Sequence, residues 1–141
     1  MKVSAKMDYA VRALLELALH WPNSEPRQIS DLGKKAGVPQ KFLIHILISL
    51  KGLGYVQSTR GKTGGYILAL HPKEIKLVEV VKQLGGLDSF DEQKRKTRKD
   101  DAISLMWREI DKSIVQTLKG LTLEDLCNTQ RQQVKTISYD I

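Results

Sequence analysis

Arg60-Gly61-Lys62-Thr63-Gly64-Gly65-Tyr66 is the stretch whose residue types and spacing come nearest to chemistry. Gly61-Lys62-Thr63 imitates the end of a phosphate-binding P-loop. That motif needs a glycine five residues before Gly61, where Val56 stands, and a helix afterwards, where Tyr66-Ile67 favours a strand. Nucleotide binding of that kind is excluded. What remains is a guanidinium and an ammonium on a glycine-lined turn whose backbone can lie close to a partner. Such a turn suits a nucleic-acid backbone: Arg60 as a minor-groove or phosphate contact, Lys62 and Thr63 as phosphate-side contacts. Ser58, Thr59, Gly61, Gly64, Gly65 and Tyr66 complete the contacting loop.

No catalytic constellation emerges. His20, His45 and His71 are scattered, and none is read with a cysteine or carboxylate at metal-ligand spacing on its own element, so neither metal nor cofactor is expected. Cys127 has no base predicted beside it, and Glu124 and Asp125 would raise its pKa. An idle or buried cysteine is the expectation, with a thiol redox sensor as the alternative. An enzyme is not expected.

The elements around the basic turn explain its position. Ser4 caps a first helix over about 5–20, with Tyr9, Ala10, Ala13, Leu14, Leu17 and Ala18 as its apolar stripe. After the break at Trp21-Pro22, Ser30 caps a second helix over about 31–36, with Ile29, Leu32 and Ala36 inward and Gly37 as its stop. Val38-Pro39 makes a tight turn into a third helix, from Pro39 to about Gly52, whose buried stripe is Leu43, Ile46, Leu47 and Leu50. This is a helix–turn–helix, and strands 55–58 and 66–70 follow as a hairpin around the basic turn. A helix pair followed by a basic hairpin is the layout of a winged-helix DNA-binding domain. Its third helix would be the recognition helix, with Pro39, Gln40 and Lys41 in the first turn and His45 on the same side. Gln40 and Lys41 are within reach of either base edges or backbone. Ser4 and Lys6, and Gln28 and Ser30, are candidate phosphate contacts at the first and second helix N-termini.

A fourth helix is expected over 73–84, with Ile75, Val78, Val81 and Leu77 inward. Residues 85–100 read as an exposed polar loop containing the cationic cluster Lys94–Lys99. A long helix follows over about 101–119, with Ile103, Met106, Trp107, Ile110, Ile114 and Leu118 as its stripe. Little core is left for it, so it is expected to join two copies of the chain. Thr122 would cap a short last helix to about Gln130, only partially because Asp125 replaces the longer glutamate of a full capping box. The boundaries are therefore 1–84 for the winged domain, 101–133 for the dimerisation and terminal helices, and 134–141 for a loose tail. The fold class is mainly α with one small β-hairpin.

Charge supports the same partner. The 141 residues carry a net charge of +7, and residues 1–84 hold all of it: 13 Lys/Arg against 6 Asp/Glu, with 10 against 10 in 85–141. A concentrated positive field suits a polyanion, because each neutralised phosphate releases counterions. No stretch has the ~20 consecutive apolar residues of a membrane span, no signal peptide is read, and one cysteine fits the cytoplasm.

The chain resembles the Rrf-two family of bacterial transcription regulators. The residues that carry the resemblance are Tyr9-Ala10-Val11-Arg12-Ala13-Leu14, Ala36-Gly37-Val38, Gly54-Tyr55-Val56, Arg60-Gly61 with Gly64-Gly65-Tyr66, Leu105-Met106-Trp107 and Leu121-Thr122-Leu123. The resemblance implies a homodimer on double-stranded DNA at a near-palindromic operator, usually as a repressor. Iron–sulfur members carry three cysteines in the loop after the fourth helix, and here that loop has none. Asp8 resembles a carboxylate that completes the cluster in some members. Without the cysteines it reads as an ordinary helix residue. The chain is thus similar to the cysteine-free branch, in which a partner enzyme controls one repressor. A small molecule or effector protein is the implied signal. The alternative function is a regulator that acts through a partner enzyme with only weak DNA binding.

Overall fold

A computed structural model describes residues 3–22, 25–86 and 101–140, with backbone alone for 137–140. The loop expected over 85–100, with its Lys94–Lys99 cluster, lies mostly outside the described residues, as does Ile141. Helix α1 (Ala5–Leu19) begins where expected: the Ser4 hydroxyl accepts the Met7 amide at 3.1 Å, satisfying one of the free donors of the first turn. Its buried face is Met7, Ala10, Ala13, Leu14, Leu17 and Ala18, whereas Tyr9 is half-buried. Helix α2 (Ile29–Ala36) starts two residues before the expected point. Gln28 is its N-cap residue without a side-chain cap, and Ser30 lies exposed in the first turn instead of capping it. Gly37, at φ 70°, closes α2 and turns the chain into α3 (Gln40–Gly52). Pro39 sits just before α3 as its N-cap residue rather than inside its first turn.

All four predicted inward residues of α3, Leu43, Ile46, Leu47 and Leu50, are buried. Strands β1 (Val56–Thr59) and β2 (Gly65–Leu68) pair antiparallel with Val56 opposite Leu68 and Thr59 opposite Gly65. Arg27 adds a short third rung: its amide and carbonyl exchange hydrogen bonds of 2.9 and 2.8 Å with Tyr66. The wing is therefore anchored to the chain just before α2.

The fourth helix begins later than expected. Pro72–Glu74 forms a single 3-10 turn, Ile75 and Lys76 are extended, and α4 spans Leu77–Gln83. Lys76 pairs with Thr122, the Leu77 amide reaches the Leu121 carbonyl, and the Leu123 amide reaches Ile75. That pairing takes the backbone groups a helix over 73–76 would have used. Val80 replaces Val78 in the buried set, because a helix starting at Leu77 turns positions 77, 80 and 81 inward.

Helix α5 (Ala102–Lys119) is capped by Asp101, whose carboxylate accepts the Ser104 amide at 2.8 Å, and it touches α4. None of its residues is buried. Helix α6 (Leu123–Asp140) departs from expectation twice. Its cap is reciprocal: the Thr122 amide donates to Asp125 Oδ2 at 2.8 Å, and the Asp125 amide donates to Thr122 Oγ1 at 3.3 Å, so the shorter carboxylate completes the box. It also continues to Asp140 instead of stopping near Gln130. Once the first turns are fixed by the cap and by buried Leu123 and Cys127, propagation through Gln, Arg and Lys is cheap even though 128–136 are exposed. Leu123 and Cys127 belong to the same core as α1, α2 and α3. The chain thus leaves the winged domain along α5 and returns to it at α6.

Candidate nucleic-acid interface

The candidate interface is built around α3 and the wing. On α3, Gln40, Lys41 and His45 are all exposed, as the buried stripe opposite them requires. Lys41 lies over the Phe42 ring at 4.9 Å, and Phe42 stacks on Tyr9 of α1 with centroids 6.0 Å apart. His45 shares with Lys6 the rim of a shallow apolar groove of about 470 Å³ between α1 and α3. At the far end of α3, Lys51 Nζ donates to Ser58 Oγ at 2.7 Å, tying α3 to β1.

The wing divides into a tip and a stem. Thr59, Arg60, Gly61, Lys62 and Thr63 are exposed, and the Gly64 amide closes the turn on the Gly61 carbonyl at 3.0 Å, with Gly61 at φ 106°. Gly64, Gly65 and Tyr66 are half-buried and hold the stem. A Cβ at Gly65 would overlap the Arg27 carbonyl, because that strand rung brings backbone against backbone. Gly65→Ala is therefore expected to lower stability by about 1–3 kcal/mol through overpacking. Urea unfolding followed by circular dichroism measures it, and an unchanged midpoint would show that the rung yields.

The Gln28 side chain and the Arg27 backbone fix the wing relative to α2. Gln28 Nε2 donates to the Lys62 carbonyl at 3.1 Å, so a residue read as a phosphate contact braces the tip. Arg27, which sequence reasoning passed over, donates to Asp31 Oδ2 from Nη2 at 2.8 Å and stands 3.7 Å from Glu16. The hydrogen bond from Arg27 holds the Asp31 carboxyl below its ordinary pKa. The Arg27–Asp31 spacing of four residues was the available signal; its partners on α1 and β2 were not readable. Between α2 and the tip lies an open groove of about 830 Å³ bordered by Lys35, Arg60 and Lys62, with Asp31 and Glu25 on its rim. Ser4, Lys6, Ser30 and Pro39 are exposed, although the Ser4 hydroxyl is already engaged as a cap.

Three other sites resolve differently. His20 does have a carboxylate one turn back, Glu16 at 3.3 Å, contrary to the reading of isolated histidines. Arg27 shares that carboxylate, and among the described residues no three His, Cys, Asp or Glu side chains converge on a metal-sized site. Asp8 pairs with Arg12 at 2.8 Å on the surface of α1. Cys127 is 1% exposed in the core, and burial raises its thiol pKa. A folded sample is expected to react with an aromatic disulfide reagent at least ~10-fold more slowly than an unfolded one; equal rates would reopen the redox reading.

On α5, Ile103, Met106, Trp107 and Ile110 are 61, 47, 39 and 42% exposed, while Ile114 and Leu118 are half-buried. Among the described residues no helix is long and apolar enough to cross a membrane.

Residues 3–129 match the Rrf2 (Rrf-two) family model, described as an iron-dependent transcriptional regulator. A helix–turn–helix-type transcriptional regulator of Synechocystis sp. is 34% identical over 132 residues, 89% of this chain and 87% of that protein. Among solved structures, T. potens IscR superposes with a TM-score of 0.77 at 30% identity, covering 92% of this chain and 88% of IscR. CymR, the global cysteine regulator of B. subtilis, superposes with a TM-score of 0.78 at 27% identity, covering 92% and 98%. The chain is thus a DNA-binding transcriptional regulator and not an enzyme. This chain belongs to the Rrf2 family of DNA-binding transcriptional regulators.

Proposed function

We propose that the chain acts as a homodimeric repressor that occupies a near-palindromic promoter operator in the cytoplasm without an iron–sulfur cluster. The observation that carries this reading is the exposed apolar stripe of α5 on a chain whose DNA-binding face lies elsewhere. Four large, partly exposed side chains on one helix face are what a partner helix would cover. A second copy offers the same stripe, and a two-fold pairing of α5 would give two recognition helices for two half-sites. Operator occupancy would then exclude polymerase.

The donor set argues against the family's iron group in its usual thiolate form. A cluster is normally held by several thiolates, and this chain has one cysteine, buried in the core. No step of the proposed action passes through a metal. α3 enters the major groove by its N-terminal turn, Arg60 and Lys62 meet the backbone or minor groove beside it, and Gln28 holds the tip at that distance.

The test is selection of duplexes from a random pool by metal-free protein, followed by sedimentation of the selected complex. A near-palindromic sequence binding two protomers is expected. One protomer per duplex, or binding only after iron and sulfide are supplied, would overturn the reading.

A further inference from the structure

The outward face of α3 carries a feature that charge and hydrogen bonding do not use. Lys41, Ile44, His45 and Ile48 recur at the spacing of one helix face, opposite buried Leu43, Ile46, Leu47 and Leu50. Ile44 is 41% exposed and Ile48 is 59% exposed. Phe42 is different: it leans onto Tyr9 and is accounted for by that stacking. The two isoleucines share that exposed helix face with Lys41 and His45. An apolar strip beside a lysine suits a polyanion with an apolar group at the bottom of its groove. B-DNA has one such group in the major groove, the thymine C5-methyl.

We propose that Ile44, supported by Ile48 one turn further on, reads thymine methyl groups and so sets a thymine at a fixed place in each operator half-site. Ile44 is the fifth residue of α3, still within the N-terminal part that reaches base edges in this motif. A branched side chain there has no donor or acceptor for a base edge, so it selects by contact and by excluding polar edges. The inference rests on α3 lying in the major groove.

The experiment replaces thymines of the selected operator by deoxyuridine, position by position in both half-sites, which removes only the methyl groups. For the wild-type protein, one position is expected to lose affinity by roughly four-fold per methyl, the size of one buried methyl group. Ile44→Ala, which is exposed and should keep the fold, is expected to bind the thymine and uracil operators equally. Circular dichroism checks that it remains folded. If no uracil substitution changes wild-type affinity while binding stays sequence-selective, the methyl reading fails and the groove placement survives. If Ile44→Ala retains the full thymine preference, another residue reads the methyl. If the wild type shows no selective binding to any duplex, the placement of α3 fails and this proposal falls with it.

Discussion

Trp107→Glu is expected to turn the proposed dimer into a monomer and to weaken operator binding by about 10²–10⁴-fold, the range by which linking two binding units raises avidity. The expectation follows from where Trp107 sits. Helix α5 has no fully buried residue and its stripe is partly exposed, so a charge there should leave the fold intact. Between two copies the same charge would be desolvated against apolar Ile103, Met106 and Ile110, which is costly unless it finds a partner. Two half-sites would then have to be filled independently. Sedimentation equilibrium with circular dichroism separates loss of dimer from loss of fold. A dimer that survives would place the interface on another surface.

Arg60→Ala is expected to reduce affinity for the operator by roughly 5- to 150-fold, with the dimer and the melting behaviour unchanged. Arg60 is exposed at the wing tip, and the stem is held by other groups: the Arg27–Tyr66 rung, the Gln28 bond to the Lys62 carbonyl and the Lys51 bond to Ser58. Removing the guanidinium therefore removes a contact rather than the wing. A phosphate contact would weaken all sequences alike and lower the salt slope by about one; a minor-groove contact would weaken the operator preferentially. Unchanged affinity would remove the wing from the recognition scheme.

The winged domain was legible because its determinants are local. The stripes of α1 and α3, the Gly37 stop, and the Gly-rich turn between short β-prone runs each lie within one window of sequence. What was missed depends on distant partners. The start of α4 was misplaced because Ile75 and Lys76 are held extended by Leu121 to Leu123, some 45 residues on. Arg27 went unnoticed because its environment is assembled from α1, α2 and β2. Helix α6 was cut short because its second half has no apolar stripe to read, and its extension depends on a capped and buried first half. Among the candidate contacts, Gln28 and Gly65 do structural work: Gln28 braces the wing tip and Gly65 lets the Arg27 backbone approach. Ile44 and Ile48 stand out only when burial is known, since apolar residues on a helix are otherwise assigned to the core.

The most direct measurement is the affinity of the metal-free protein for its selected operator across a range of salt concentrations. A dimer making ~6–10 phosphate contacts predicts a fall of about 10³–10⁵-fold between about 50 and 200 mM salt, with a scrambled duplex bound far more weakly throughout. Affinity that barely changes with salt, or equal binding to both duplexes, would contradict an operator-binding regulator that works through α3 and the wing.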